Sequence, residues 1–289
     1  TMDINLEKVK TYSLKKRFSK VKKDIFAKPC SKRGTFGVFY NSLPKILKAK
    51  DFKAVVEAVV SARKNKKAVI LMMGAHVIKC GLSPLVIDLV KRRVVTALAL
   101  NGAGIIHDFE IAYLGKTSED VEAALRDGSF GMGKVTAEFL NCAISKGVGE
   151  GLGIGSSVGR AIAVAALKHK EYSIIYNCYK EGVAVSVHVA IGTDVIHQHP
   201  SFDGRAAGEG SARDFLSLTK AVAKLNNGGV VLNFGSSVIL PEVFLKALNL
   251  ARNLRYKVSN FTTANFDMIY HYRPQVNVVE RPTRDSGKG

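Results

Sequence analysis

At 289 residues, with 47% hydrophobic and 23% charged side chains, the chain has ordinary globular composition, which excludes disordered and fibrous classes, and it sits near the size at which a single core stops growing. The formal charge of +19 attracts anions of every kind, from nucleic acid to phosphorylated cofactors, without choosing among them. The longest apolar runs, 68–74 and 94–100, fall far short of the roughly 20 residues that cross a bilayer, so no membrane partner is expected.

Residues 1–65 read as a mainly helical N-terminal extension and 66–289 as one nucleotide-binding domain. The extension carries the densest basic cluster, Lys8 through Arg33, with Phe18 and Phe26 among the cations. A solvated helical face with two apolar anchors is the expectation there, and a nucleic-acid arm is the alternative. From Ala68 onward, apolar runs alternate with amphipathic stretches joined by Gly-rich turns, which is the rhythm of βαβ units. Strands are expected at 68–73, 94–100, 183–191 and 230–234. Helices are expected at 84–91, 118–125, 132–146, 157–168, 212–225 and 242–254, with Ser211 as a cap and Pro241 as a first-turn residue. Continuous apolar strands imply cover on both faces, so the fold class is α/β: a Rossmann-like parallel sheet flanked by helices.

The turn 151–155 follows a helix rather than a strand and reads as a connector, and 203–210 reads as a loop flexible enough to be a lid, though a plain surface loop looks the same, with Arg205 as its anion contact. Cys30, Cys80, Cys142 and Cys178 are too scattered for a zinc ribbon or a disulfide framework. With no secretory pattern in the first residues, a cytoplasmic location is expected.

Three turns of small residues follow expected strands: Gly74-Ala75-His76, Asn101-Gly102-Ala103-Gly104 and Gly235-Ser236-Ser237. Small side chains let a ligand reach the backbone N–H groups, and a following helix offers its positive end to a phosphate. Ligands of open α/β sheets bind at such carboxyl ends. His188 and Asp194, on and beyond the third strand, are candidates to face a substrate. His197, His199 and Asp203 follow in the loop, and with His188 they offer an alternative reading as a metal-assisted hydrolase.

Taken in order, these segments resemble the deoxyhypusine synthase family. Gly74 through Gly81 is similar to its first nucleotide loop, with Ala75 and His76 where Ser-Asn is usual. Gly102 through Asp108 resembles its Thr-Ala-Gly-Gly-Val-Glu-Glu stretch, Tyr172 through Tyr176 its Glu-Ser-Val-Tyr-Tyr, and Val189 through Asp194 its Pro-Ala-Leu-Thr-Asp-Gly turn. Leu232 through Ser237 takes the place of its triple-glycine turn. The resemblance implies NAD as cofactor and a homotetramer or dimer with sites at dimer interfaces. It also implies oxidation of spermidine to an imine that an enzyme lysine captures, before the aminobutyl group passes to a lysine of a translation factor. Carried over by residue, Ala75, His76, Gly102, Ala103, Gly104, Asp108, Gly235, Ser236 and Ser237 would hold the dinucleotide.

The chain departs from that pattern where the chemistry is done. Leu240 and Pro241 stand where the family has a histidine, and no Trp-Gly-Lys follows. After Lys257 the next lysine is Lys288, the candidate for the imine-forming role. Arg273, Arg281 and Arg284 interrupt the segment that would supply carboxylates to a polyamine. The expectation is therefore an NAD-dependent enzyme on an amine or amino-acid-like substrate, distinct from deoxyhypusine formation, whose substrate carries a negative group for Arg205, Arg273 or Arg281. A non-catalytic nucleotide-binding module is the second alternative.

Overall fold

The structure is a computed structural model and describes residues 4–289. It divides into two compact units, Thr1–Ala54 and Val55–Gly289. In the first, residues 6–25 form three single 3-10 turns rather than the expected helical face, and α1 (Phe36–Ser42) and the first part of α2 (Leu47–Lys64) follow. Phe18 and Phe26 are exposed and anchor nothing. With like charges crowded along the segment and no apolar stripe to bury, a helix there would gain little from packing.

The second unit is built on five parallel strands: β1 (Val69–Met73), β2 (Ala97–Asn101), β3 (Ala184–His188), β4 (Val230–Phe234) and β5 (Thr262–Phe266), in the order β3-β2-β1-β4-β5. Four match the expected strands. The fifth, Thr-Thr-Ala-Asn-Phe, lacks a continuous apolar run because it is an edge strand with partly exposed ends. Alternate residues of β1 face opposite cores. Leu71 and Met73 join the core under α4 (Ser83–Lys91), α5 (Gly102–Leu114), α7 (Lys134–Gly149), α8 (Ile154–Val164) and α9 (Ile174–Lys180), which lie on one face with the short α3 (His76–Lys79) and α6 (Val121–Leu125) in the connections. Ile70 and Met72 join the other core, under α10 (Gly204–Val222) and α11 (Ile239–Asn253). Right-handed crossovers account for this division, because connections running in opposite directions along the sheet must cover opposite faces. The change of direction falls between β1 and β4.

Two expectations are corrected. Residues 203–210 are the first turns of α10, with the Asp203 side chain accepting the N–H groups of Arg205 and Ala206, so they form no lid. Their glycines serve packing: a Cβ on Gly210 would press on Ile154 and Val148. The connector expected at 151–155 is present as Gly151-Leu152-Gly153 between α7 and α8, but Ile154 and Gly155 already begin α8, where a side chain on Gly155 would overlap the Val185 carbonyl of β3. Close backbone approach overrides the low helix propensity of glycine in both places.

Candidate functional site

The carboxyl edge of the sheet brings Gly74, Asn101, His188, Gly235 and Asp267 to one side of the second unit, since each ends or follows a strand there. At the change of direction the turns after β1 and β4 touch. Gly74 N–H donates to the Phe234 carbonyl at 2.9 Å, and a Cβ on Gly74 would overlap the carbonyl of Gly235. Gly235 itself adopts φ +62°, is exposed, and has open space where a side chain would be. Beside it the rings of Phe234 and Phe266 stack at 4.4 Å.

Helix N-termini at this edge differ in how their N–H groups are satisfied. After β2, the Asn101 side chain accepts Gly104 N–H at 3.2 Å, and the carboxylate of Asp194 lies against Gly102 so closely that a Cβ there would overlap it. Burial raises the Asp194 carboxyl to about 6, with the Ala103 N–H pulling the other way. Its Oδ2 has no hydrogen-bond partner among the described residues, and His197 Nε2 stands 3.7 Å away. His197 Nδ1 accepts the N–H groups of Gly192 (3.1 Å) and Asp194 (3.3 Å), so the ring, when neutral, carries its proton on Nε2, toward that carboxylate. The anion socket of α5 is thus filled from within.

The same device recurs. Asp214 of α10 inserts its carboxylate at the start of α8, accepting N–H from Gly155 (2.9 Å) and from Val187 of β3 (2.8 Å), and burial raises it to about 7. Asp108 of α5 caps α9, accepting from Ile174 N–H (2.7 Å), Ile175 N–H (3.3 Å) and the Ser173 hydroxyl; it is fully buried and raised to about 6, burial outweighing those bonds. Asp108, expected among the residues that hold the dinucleotide, is therefore corrected to an internal cap. Asp214 was not singled out in the sequence. Its spacing with Ala207, Gly210 and Leu218 puts an acid on the apolar stripe of α10, and that is the signal for a buried carboxylate.

The N-terminus of α11, after β4, is different. Val238 offers no side-chain cap, and among the described residues no acceptor reaches the N–H groups of Ser236, Ser237, Val238 or Ile239; only Leu240 N–H is satisfied, by Ser236 Oγ at 3.3 Å. These are the donors that a dinucleotide phosphate needs.

The remaining expected residues are scattered. His188 is buried below the edge, its Nε2 on Ser186 Oγ at 3.0 Å and its pKa pushed down to about 4 by burial, so it is a neutral internal histidine rather than a group facing substrate. Lys288 is corrected outright. Its backbone pairs with Phe261 and Thr263, at the amino end of β5, on the edge of the sheet opposite the candidate site. His199 pairs with Ser201, and no cluster of three or more His, Cys, Asp or Glu among the described residues could hold a metal ion, which removes the hydrolase alternative's ligand set. Arg273 pairs with Glu242 at 3.4 Å and Arg281 donates to Asn277.

The sequence matches no protein-family model and no curated protein. Among solved structures the chain is similar to a candidate deoxyhypusine synthase from Entamoeba histolytica, with a TM-score of 0.50, 11% identity, and 84% of this chain and 87% of that one covered. It is also similar to a conserved protein of the LOR/SDH type from Methanococcus maripaludis (TM-score 0.48, 15% identity, 89% and 62% covered). A third is ArgZ, an arginine dihydrolase from cyanobacteria (TM-score 0.46, 15% identity, 78% and 29% covered). The chain spans less than two thirds of the length of the last two. At this level the class is defined by fold alone: a doubly wound, all-parallel α/β protein shaped like the deoxyhypusine synthases. No helix of the described residues is long and apolar enough to cross a membrane.

Proposed function

We propose that this chain binds NAD at the crevice between β1 and β4 and acts as an NAD-dependent enzyme on a small amine- or amino-acid-like substrate. The observation that carries the reading is the set of unpartnered N–H groups of Ser236 through Ile239, at a helix start beside the crevice where the strand order reverses. Gly235, exposed and with open space where a side chain would be, leaves backbone against a pyrophosphate placed there, and the stacked Phe234 and Phe266 form one wall. NAD would supply a hydride acceptor. The chain's own residues would bind its phosphates through α11 and shield its rings with the phenylalanines. The Gly102 to Gly104 turn is a poorer phosphate site than its sequence suggests, since Asp194 would have to leave first.

Deoxyhypusine formation is not supported, because Lys288 lies at the opposite edge of the sheet. Titration calorimetry with NAD and NADH tests the reading. Saturable binding that weakens when Gly74 is replaced by valine is expected, and no heat from either nucleotide at millimolar concentration would refute it.

A further inference from the structure

A second group of polar side chains lies on α5 and the segments packed against it. His107 Nδ1 is 2.7 Å from the hydroxyl of Thr117. That hydroxyl donates its one proton to Glu110 Oε2, while Thr136 donates to Glu110 Oε1 at 3.2 Å. With both oxygens engaged as acceptors, the carboxylate leaves Thr117 Oγ1 able only to accept from His107, so the proton of the neutral ring must sit on Nδ1. Nε2 is then the lone-pair nitrogen. Among the described residues it has no hydrogen-bond partner, and it is not among the sealed, unpaired atoms, so solvent reaches it. Glu110 Oε2 stands 4.0 Å from Nδ1, close enough to stabilise an imidazolium.

The order carboxylate, hydroxyl, imidazole, free nitrogen is that of an oriented general base, in which a third group holds the ring and compensates the charge it gains. The charged groups acting on the ring are Glu110 on its own helix and Lys79 and His76 on the facing α3, both exposed. Burial, with Lys79 and His76, lowers the His107 pKa against the opposing pull of Glu110, which keeps the base unprotonated at neutral pH.

We infer that His107 is a general acid–base residue, oriented through Thr117 by Glu110, serving a small substrate whose anionic group pairs with Lys79. Nε2 takes a proton from an O–H or N–H of the substrate or of an attacking water and returns it to the product or to solvent. No oxidant is involved, so the inference does not depend on NAD.

The test uses the full chain and a defined probe, 4-acetoxy-3-nitrobenzoate, whose carboxylate suits Lys79. His107 would take a proton from water as the hydroxide adds to the ester carbonyl. Acetate and 4-hydroxy-3-nitrobenzoate are released, and the proton passes to solvent. Hydrolysis is expected to fall by roughly a hundredfold or more in His107→Gln, the lower range for general-base catalysis. The rate should prefer this probe over neutral 4-nitrophenyl acetate, and Lys79→Met should erase the preference. Thr117→Val and Glu110→Gln should move the midpoint of the pH–rate profile, which a purely structural contact would not do. Nitrogen NMR of the wild type gives a readout without turnover, and there the Nδ1–H tautomer is expected at His107. An Nε2–H tautomer, or wild-type hydrolysis by folded His107→Gln, would overturn the inference.

Discussion

Asp194 and Gly102 fit as plug and socket: the carboxylate occupies the space that any side chain on Gly102 would need, over the first turn of α5, with one oxygen left unpartnered. A buried acid placed this way prefers to be neutral, and burial raises its pKa from 3.8 to about 6. The folded chain therefore holds this proton more tightly than the unfolded chain. The stability it contributes is fully present below the unfolded value and is lost as pH rises through about 6. Asp194→Asn removes that dependence. Its melting temperature relative to wild type should climb between pH 4 and pH 7, since Asp108 and Asp214 titrate alike in both proteins. A difference that stays flat with pH, followed by scanning calorimetry, would contradict the burial argument.

Asp194 also decides whether α5 can take an anion. Asp194→Ala frees the Ala103 N–H and opens the space over Gly102, and inorganic pyrophosphate should then bind more tightly than to wild type, by calorimetry at pH 7.5. Equal affinity would mean that α5 is never the limiting socket.

Asp214 is a different case, because its Oδ2 accepts two buried N–H groups. Asp214→Ala leaves the N–H groups of Gly155 and Val187 buried without partners, and a loss of about 3 kcal/mol or more in unfolding free energy is expected from urea titration. Asp214→Asn should recover part of it, since one carbonyl oxygen can still accept both bonds.

Gly74 holds the two turns at the change of strand direction in contact. Gly74→Ala must push the Gly235 carbonyl aside, which should cost about 1–3 kcal/mol of stability, the usual range for overpacking. Ala at Gly235, where space is open and only the positive φ is strained, should cost about 1–2 kcal/mol. If the nucleotide sits in the crevice, the first substitution weakens NAD binding beyond its effect on stability, and titration at a temperature where both variants are folded separates the two.

Lys288 should form no imine. Treating the protein with NAD, spermidine and borohydride, then mapping peptides by mass, is expected to show no adduct at Lys288. An adduct there would require the segment paired with Phe261 and Thr263 to detach from β5.

Local pattern by itself determined the four apolar strands, most helices of the second unit and the parallel α/β class, because burial on both faces of a sheet is written into runs such as Val69–Met73. It also marked Gly74 and Gly235 as turns a ligand could approach. It said nothing reliable about which acids meet which helix ends. Asp108, Asp194 and Asp214 look alike in the sequence, yet each finds a helix start brought to it by the fold: α9 lies 66 residues beyond Asp108, and α8 lies 59 before Asp214. The loop expected at 203–210 and the last two residues of the connector at 151–155 are helical for the same reason. Glycine in isolation favours a loop, whereas here packing against Ile154, Val148 and the Val185 carbonyl admits glycine and nothing larger. The His107 relay needs Thr117 and Thr136, from the segment after α5 and from α7, to close on Glu110; only the pair His107 and Glu110, three apart on one helix, was open to a reader of the sequence. Periodicity fixes what a segment must bury, but a charge is satisfied by whatever the finished chain places within about 3 Å of it, and that distance exists only after folding.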